Sequence, residues 1–184
     1  MNDFTRKKFL QKFRTPEQVA RMVKSGDRIF FGEFVLRPDA LDEALANRAH
    51  QLTDVIIEGV CITKVPSFIE ADPNREHFIY NDWHFSGVSR KLYQQGLCSY
   101  IPFTYHQGPR VVRKYKEYDY VFVSARPMDA QGYFNFGMCN SITSAAITKA
   151  KNVVVEINAN MPHCLGGNQE SVHISRVDYI VEGR

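Results

Sequence analysis

Apolar and polar positions follow two alternating patterns along this chain. Short apolar runs bounded by glycine, proline or polar residues are typical of β-strands, whereas apolar residues four positions apart, such as Leu41 and Leu45, are typical of amphipathic helices. Seven runs predict strands, at 28–31, 55–62, 77–80, 99–103, 120–124, 153–157 and 179–181. The helix pattern predicts helices at 38–49, 86–95, 109–117 and 141–151. The chain is therefore expected to alternate strand and helix.

Two helical segments precede the first predicted strand. Phe9 and Phe13 share one face of the first segment. The second begins at Thr15 and Pro16, an N-cap residue followed by a first-turn proline, and Gln18 has the capping-box spacing. This second helix is predicted to run to about Lys24.

Several of the predicted strands are apolar at every position. Val153, Val154 and Val155 follow one another without a polar residue, a pattern found where helices cover both faces of a parallel sheet. No internal repeat, low-complexity tract or proline-rich linker interrupts the alternation. The sequence predicts the α/β class, with an open, mostly parallel sheet and helices on both faces, as a single domain over residues 1–184.

Charge and composition exclude several other classes of protein. The 23 Lys and Arg residues against 20 Asp and Glu residues give a formal charge of +3, and the basic residues are scattered rather than clustered, which argues against a nucleic-acid partner. No run of about 18 apolar residues occurs, so we expect neither a signal peptide nor a membrane span, and a cytoplasmic location. The four widely spaced cysteines predict reduced thiols, and the dispersed histidines predict no metal site.

Three glycine-bearing loops are candidates for ligand contact. In an open parallel sheet, ligands bind beyond the carboxyl ends of the strands, and the loops 32–38, 126–137 and 158–167 all follow predicted strands. Each loop also has a purely structural interpretation. Gly32 and Pro38 suit any strand-to-helix connection, and Tyr133, Phe134 and Phe136 could form a hairpin that packs into the core.

No arrangement of residues in the sequence supports catalysis by itself. The chain has no nucleophile elbow, no phosphate-binding loop of the NTPase type and no dinucleotide-binding fingerprint. The candidate nucleophilic carboxylates resemble ordinary solvated or helix-adjacent glutamates, namely Glu33, Glu58, Glu70, Glu156 and Glu182. We therefore predict no catalytic residue within this chain.

Five motifs follow one another along nearly the whole chain, namely Ser25-Gly26-Asp27 with Pro38 and Leu41, Asn81 to Gly87, Pro127 to Gly137, Val155 to Pro162, and Val172 to Gly183. In content, order and spacing they resemble the N-terminal domain of the acetyl-CoA hydrolase/transferase family. Within that family they are most similar to the butyryl-CoA:acetate and 4-hydroxybutyrate CoA-transferases.

The resemblance implies a fold and an activity. The fold would be one half of a CoA-transferase, of the type also seen in related sugar-phosphate isomerases. The reaction would move CoA between an acyl-CoA and a short carboxylic acid through a glutamyl-CoA thioester. Coenzyme A would then be a substrate, and no cofactor is expected. In the family the catalytic glutamate lies in the second half, beyond the segment that ends at Gly183, so the isolated chain is expected to be inactive.

The family's two halves face each other across a cleft. On the motif match, we expect Gly32, Phe136, Gly137, Asn158 and Met161 to face that cleft and contact substrate. The expected partners are an acyl-CoA and a short acid bound together with the C-terminal half, and either a homo-oligomer or a pairing with that half. The alternative is a non-catalytic module of the same fold that binds a ligand or serves as a subunit. An isomerase is disfavoured because no phosphate-binding loop is present.

Overall fold

A seven-stranded parallel sheet forms the centre of the molecule. The computed structural model describes residues 3–167 and 169–183, without the side chains of residues 3–6 and 8. The strands are β1 (Arg28–Glu33), β2 (Val55–Val60), β3 (Phe78–Asp82), β4 (Ser99–Tyr100), β5 (Tyr118–Ala125), β7 (Ala150–Ile157) and β9 (Tyr179–Glu182). Their order is β4-β3-β2-β1-β5-β7-β9, and every neighbouring pair is parallel. The predicted α/β class and open parallel sheet are confirmed.

Seven α-helices precede or connect the strands. They are α1 (Asp3–Lys12), α2 (Pro16–Met22), α3 (Asp39–Ala46), α4 (Ser67–Glu70), α5 (Gly87–Gln94), α6 (Gly108–Tyr115) and α7 (Thr143–Thr148), all within the described residues. The capping box predicted at Thr15 forms: the amide of Gln18 donates to Thr15 Oγ1 at 3.2 Å, and the amide of Thr15 donates to Gln18 Oε1 at 3.0 Å. Among the described residues, no helix is long and apolar enough to cross a membrane.

The helices cover both faces of the sheet, because neighbouring strand residues point to opposite sides. Ile29 and Phe31 pack into a core cluster with residues of α2, α3, α4 and α5, whereas Phe30 joins a second cluster with residues of α6 and α7. The same alternation divides Val154 from Val153 and Val155. In the uninterrupted apolar runs, alternate residues therefore pack into the two cores on opposite faces of the sheet.

Five elements differ from the sequence prediction. The helix predicted at 38–49 ends at Ala46, and the strand predicted at 99–103 is confined to Ser99–Tyr100. Helix α4 was not predicted, because it begins where the buried Asp42 carboxylate accepts the amides of Ser67 and Phe68 from a distant part of the chain. A small antiparallel sheet pairs β6 (Tyr133–Asn135) with β8 (Ser171–His173). Neither strand was predicted, because neither lies in a long apolar run.

The order of the strands creates a crevice. From β1 the chain adds β2, β3 and β4 on one side, and then returns to place β5, β7 and β9 on the other side. The connection after β1 therefore runs to one side of the sheet, and the connection after β5 runs to the other. At such a topological switch point, the two loops separate and leave a crevice beyond the carboxyl ends of the strands. The predicted loops after β1, β5 and β7 all lie at this edge, since these three strands are parallel neighbours.

A buried ionic network is centred on Glu58 of β2. Glu58 is 4% exposed and accepts hydrogen bonds from Lys116 Nζ at 2.6 Å, from the Tyr118 hydroxyl at 2.8 Å and from Trp83 Nε1 at 3.1 Å. The Lys116 ammonium also lies 4.9 Å from the centre of the Trp83 ring. Removing the carboxylate would leave three donors without their acceptor.

We expect Glu58→Leu to lower the free energy of unfolding by about 3–5 kcal/mol, because it leaves the Lys116 charge unpaired beside two orphaned donors. Lys116→Met should cost less, about 1–2 kcal/mol, since Glu58 keeps its Tyr118 and Trp83 donors. Urea unfolding of each variant measures the difference. The exposed Glu117→Gln is the control and should change stability by less than about 0.5 kcal/mol; equal costs for Glu58→Leu and Glu117→Gln would contradict the assignment.

Candidate functional site

The backbone is strained where β1 and β2 end at the crevice. Phe34 and Cys61 have positive φ values of 48° and 52°, in the left-handed region that side chains other than glycine rarely adopt. Hydrogen bonds hold both: the amide of Phe34 donates to the Val60 carbonyl at 2.8 Å, and the amide of Cys61 donates to Asp82 Oδ1 at 2.9 Å. Backbone held in this way is concentrated at binding and catalytic sites.

Gly32 allows the first loop to fold back onto β5. Its φ is +58°, and a Cβ there would overlap the Leu36 carbonyl oxygen. That carbonyl accepts a hydrogen bond from the amide of Ser124 at 2.8 Å, which ties the loop after β1 to the end of β5. Gly32 is therefore buried near the end of β1, in contact with the backbone of Leu36.

The second and third loops contact each other. A Cβ at Gly137, where φ is +64°, would come within 2.6 Å of Met161 Sδ. Arg126 Nη1 donates to the Met161 carbonyl at 3.1 Å, and the amide of Met161 donates to the Asn158 carbonyl at 3.1 Å. The structure therefore brings Gly137, Asn158 and Met161 together, although they come from two loops.

Asn135 joins the same two loops at a second point. Its Nδ2 donates to the Cys164 carbonyl at 2.9 Å, and its Oδ1 accepts the amides of Gly137 at 2.8 Å and Cys164 at 3.3 Å. Asn135 ends β6, so the small antiparallel sheet serves to place this side chain.

An open depression of about 430 Å³ lies between these loops, and its lining includes Phe136, Gly137, Met138, Cys139 and Leu165. The Phe136 side chain is 1% exposed and packs in the core, as does Met161 at 3%. Met138 and Leu165 are instead 60% and 85% exposed. Phe136 thus forms a buried apolar part of the lining, Met138 and Leu165 form an exposed apolar part, and Asn140 and Glu170 add polar groups.

Glu33 is buried at the end of β1, beside the start of α7. It is 1% exposed, and its Oε1 accepts the amides of Ser141 at 2.6 Å, Ile142 at 3.1 Å and Thr143 at 3.2 Å. The Ser141 hydroxyl donates to Oε2, and the Thr143 hydroxyl donates to Oε1 at 2.8 Å. Glu33 thus attaches the start of α7 to β1 across 108 residues of sequence.

Glu156 is buried in the same manner near the end of β7. It is 3% exposed, and its carboxylate accepts the amides of Ala40 at 3.1 Å and Leu41 at 2.9 Å, in the first turn of α3. Burial raises the pKa of Glu156 to about 7, although these two amides act in the opposite direction. Glu33 and Glu156 are therefore helix-adjacent, but neither is solvated.

The thiols at this edge are poor nucleophiles. Burial, with Glu33 nearby, raises the pKa of Cys139 to about 12, and burial together with the Asp82 charge also raises the pKa of Cys61. Since the thiolate is the reactive form, both remain neutral thiols at neutral pH. All four cysteines of the chain are free.

Sequence reasoning identified the three loops but not the residues that hold them. Glu33 and Asn135 were not singled out as site residues, because their hydrogen-bond partners lie far away in sequence. One local signal for Glu33 was available: an acidic residue directly after Gly32, at the end of a strand that begins the sheet. A charged side chain at that position must be solvated or hydrogen bonded.

The chain matches the family model described as the acetyl-CoA hydrolase/transferase N-terminal domain over residues 1–184. It is 40% identical over 179 residues to a butyryl-CoA:acetate CoA-transferase of Anaerostipes caccae, covering 97% of this chain and 40% of that protein. It is 27% identical over 176 residues to a 4-hydroxybutyrate coenzyme A transferase of Clostridium kluyveri, again covering 40% of the relative. The chain thus spans about 40% of the length of these relatives.

Solved structures agree with the fold. The crystal structure of RipA from Yersinia pestis superposes with a TM-score of 0.86 at 28% identity, covering 100% of this chain and 44% of that one. A 4-hydroxybutyrate CoA-transferase from Porphyromonas gingivalis superposes with a TM-score of 0.67 at 20% identity, covering 96% of this chain and 40% of that one, and at this identity the likeness concerns the fold alone.

We expect Gly32→Ala to lower the free energy of unfolding by roughly 3 kcal/mol or more, because the new Cβ combines an unfavourable φ with overlap of backbone that β5 holds in place. Gly26→Ala is the matched control, since Gly26 has a φ of +82° but open space around its Cβ. It should cost only about 1–2 kcal/mol. Chemical denaturation compares the two, and equal losses would show that the contact with Leu36 is unimportant.

Glu156 should make stability depend on pH. Because the pKa of Glu156 is about 7 in the folded state and 4.5 as its ordinary value, the folded state holds this proton more tightly. The corresponding stability is present in full below pH 4.5 and is lost as the pH rises through 7, by at most about 3 kcal/mol. Glu156→Gln should remove this component of the pH profile, as measured by urea unfolding between pH 4 and pH 8. Identical profiles for the two proteins would contradict the assignment.

Proposed function

Because the chain belongs to the acetyl-CoA hydrolase/transferase family as its N-terminal domain, we propose that it forms one wall of the active site of an acyl-CoA:acetate CoA-transferase. The reaction moves CoA from a short-chain acyl-CoA to a carboxylic acid. A glutamate of the C-terminal half attacks the thioester, becomes a glutamyl-CoA thioester, and passes CoA to the incoming acid. The observation that carries the proposal is the 97% coverage of this chain by a butyryl-CoA:acetate CoA-transferase at 40% identity.

The bonding of the buried glutamates supports a nucleophile from outside the chain. Glu33 and Glu156 accept backbone amides at helix starts, and Glu58 accepts Lys116, Tyr118 and Trp83. A nucleophilic carboxylate needs a lone pair directed at the thioester carbon, whereas these three are directed at protein donors. Under the proposal they are structural, and no residue of this chain is catalytic.

The crevice at the switch point is the part of this domain that we assign to substrate. Gly137 and Asn158, which are half-buried, would supply backbone surface for the ligand, and Gly32 would act through the loop that it holds in place. The buried Phe136 and Met161 would form an apolar base under the acyl group. Backbone at a glycine can approach a ligand without a side chain between them. Coenzyme A is a substrate in this proposal, and the domain needs no cofactor.

The exposed apolar residues of the same edge support a covering partner. Val35, Met138 and Leu165 are 40%, 60% and 85% exposed and lie in loops at the crevice. Apolar surface of this kind is expected where a second domain packs. We propose that the C-terminal half covers it, in a protein that acts in the cytoplasm, where free thiols such as the four here persist.

The alternative is a non-catalytic module that binds a ligand at the crevice or serves as a subunit. Both proposals are compatible with the hydrogen bonds that Glu33, Glu58 and Glu156 accept from protein donors. They differ in whether this chain is required for turnover by a separate C-terminal half.

The test is transfer of CoA from butyryl-CoA to acetate, measured with the chain alone and with a separately supplied C-terminal half. We expect no transfer by either part alone, and transfer when both are present. Mass spectrometry of the mixture with butyryl-CoA should find a CoA adduct on a glutamate of the C-terminal half. Replacing that glutamate with glutamine is the control and should abolish both signals. Absence of transfer and of adduct in the complete mixture would overturn the proposal and leave the binding module.

A further inference from the structure

A chain of hydroxyl groups leads from the buried Glu33 to the crevice. The Ser141 hydroxyl donates its single proton to Glu33 Oε2, and the Tyr105 hydroxyl lies 2.6 Å from Ser141 Oγ. Tyr105 follows β4 and is 41% exposed, whereas Glu33 is 1% exposed. The three residues come from three separate parts of the sequence and converge at the carboxyl edge of the sheet.

Glu33, at the buried end of this chain of hydroxyl groups, determines which atom donates in each hydrogen bond. Three backbone amides donate to Glu33, and an amide can only donate, so the carboxylate acts as the acceptor for its neighbours. Ser141 therefore points its proton at Glu33 and offers Tyr105 only a lone pair. In the 2.6 Å contact the Tyr105 hydroxyl must be the donor.

Tyr105 consequently presents acceptor lone pairs to the crevice. Burial is the largest cause of a raised pKa at Tyr105, and the charge of Glu33 adds to it, so the phenol stays protonated and its one proton remains committed to Ser141. Cys61 and Cys139 lie within electrostatic reach of the phenol, and the ring of His84 lies 5.8 Å from the Tyr105 ring. The phenol oxygen thus lies beside Ser141, the residue after Cys139 and Asn140, which line the depression of about 430 Å³.

We propose that Tyr105 contacts the substrate and accepts a hydrogen bond from a neutral donor of the acyl-CoA, with Ser141 and Glu33 as the residues that set its direction. This inference rests on the proposed function for the identity of the ligand. An ionised carboxylate offers only acceptors and would also be repelled by Glu33, so the carboxylate of the acid substrate is excluded from this position. The donor is either an O–H on the acyl group or an amide N–H of the pantetheine arm.

Binding of unreactive thioether analogues tests the inference without requiring transfer. The chain is combined with its C-terminal half, and calorimetry measures the dissociation constants of S-butyl-CoA, S-(4-hydroxybutyl)-CoA and an S-butyl analogue whose pantetheine amides are esters. Tyr105→Phe removes the acceptor and should weaken binding of the donor-bearing ligand by about 5- to 150-fold. If the acyl hydroxyl is the donor, only the hydroxybutyl analogue weakens; if an amide is the donor, both amide analogues weaken and the ester analogue does not.

Two further variants separate this role from general damage. Tyr93→Phe is the matched control, because Tyr93 is also exposed, at 57%, but packs on Phe85 at α5; all affinities should be unchanged. Ser141→Ala leaves Tyr105 in place but frees its proton, so the preference for the donor-bearing analogue should fall at least 5-fold.

The inference is overturned if Tyr105→Phe changes no affinity, if it weakens all three analogues equally, or if no analogue binds. A failure of the proposed function is a different result: the analogues would bind with the expected dependence on Tyr105, while butyryl-CoA and acetate give neither transfer nor a glutamyl adduct.

Discussion

The acceptance of backbone amides by buried carboxylates is the interaction on which the carboxyl edge of this sheet depends. Glu33 and Glu156 reach from the ends of β1 and β7 to the starts of α7 and α3. A helix start leaves amides without partners, and a buried carboxylate needs donors, so each feature satisfies the other. Without these two side chains, the starts of α7 and α3 would lose these hydrogen bonds to β1 and β7.

The same constraint accounts for the chemistry of the crevice. Carboxylates whose lone pairs accept backbone amides are not directed at a substrate as nucleophiles. Burial keeps the nearby thiols neutral by raising their pKa. Under the proposed function, the crevice then offers a set of positioned neutral groups: backbone at Gly137, the Asn158 loop and the Tyr105 hydroxyl. Such groups can bind and orient a substrate, and the proposal leaves the covalent chemistry to the C-terminal half.

Much of the fold followed from local sequence patterns. Apolar runs with polar boundaries predicted the strands, and the residues Thr15, Pro16 and Gln18 predicted the start of α2, because a capping box is satisfied within four residues. Helix α4 could not be predicted in the same way, since its cap is the carboxylate of Asp42 from another helix. The pairing of β6 with β8 was equally hidden, as each strand has three residues and little pattern of its own.

The sequence by itself determined the class of the fold, the succession of its elements and the three loops that reach the carboxyl edge, because periodicity and turn residues act over short distances. Only the tertiary structure decided which residues of those loops meet. The contact of Gly137 with Met161, the attachment of Glu33 to Ser141, and the orientation of Tyr105 all join positions separated by 24 to 108 residues. Such contacts depend on the order of the strands and on burial, which no local pattern encodes.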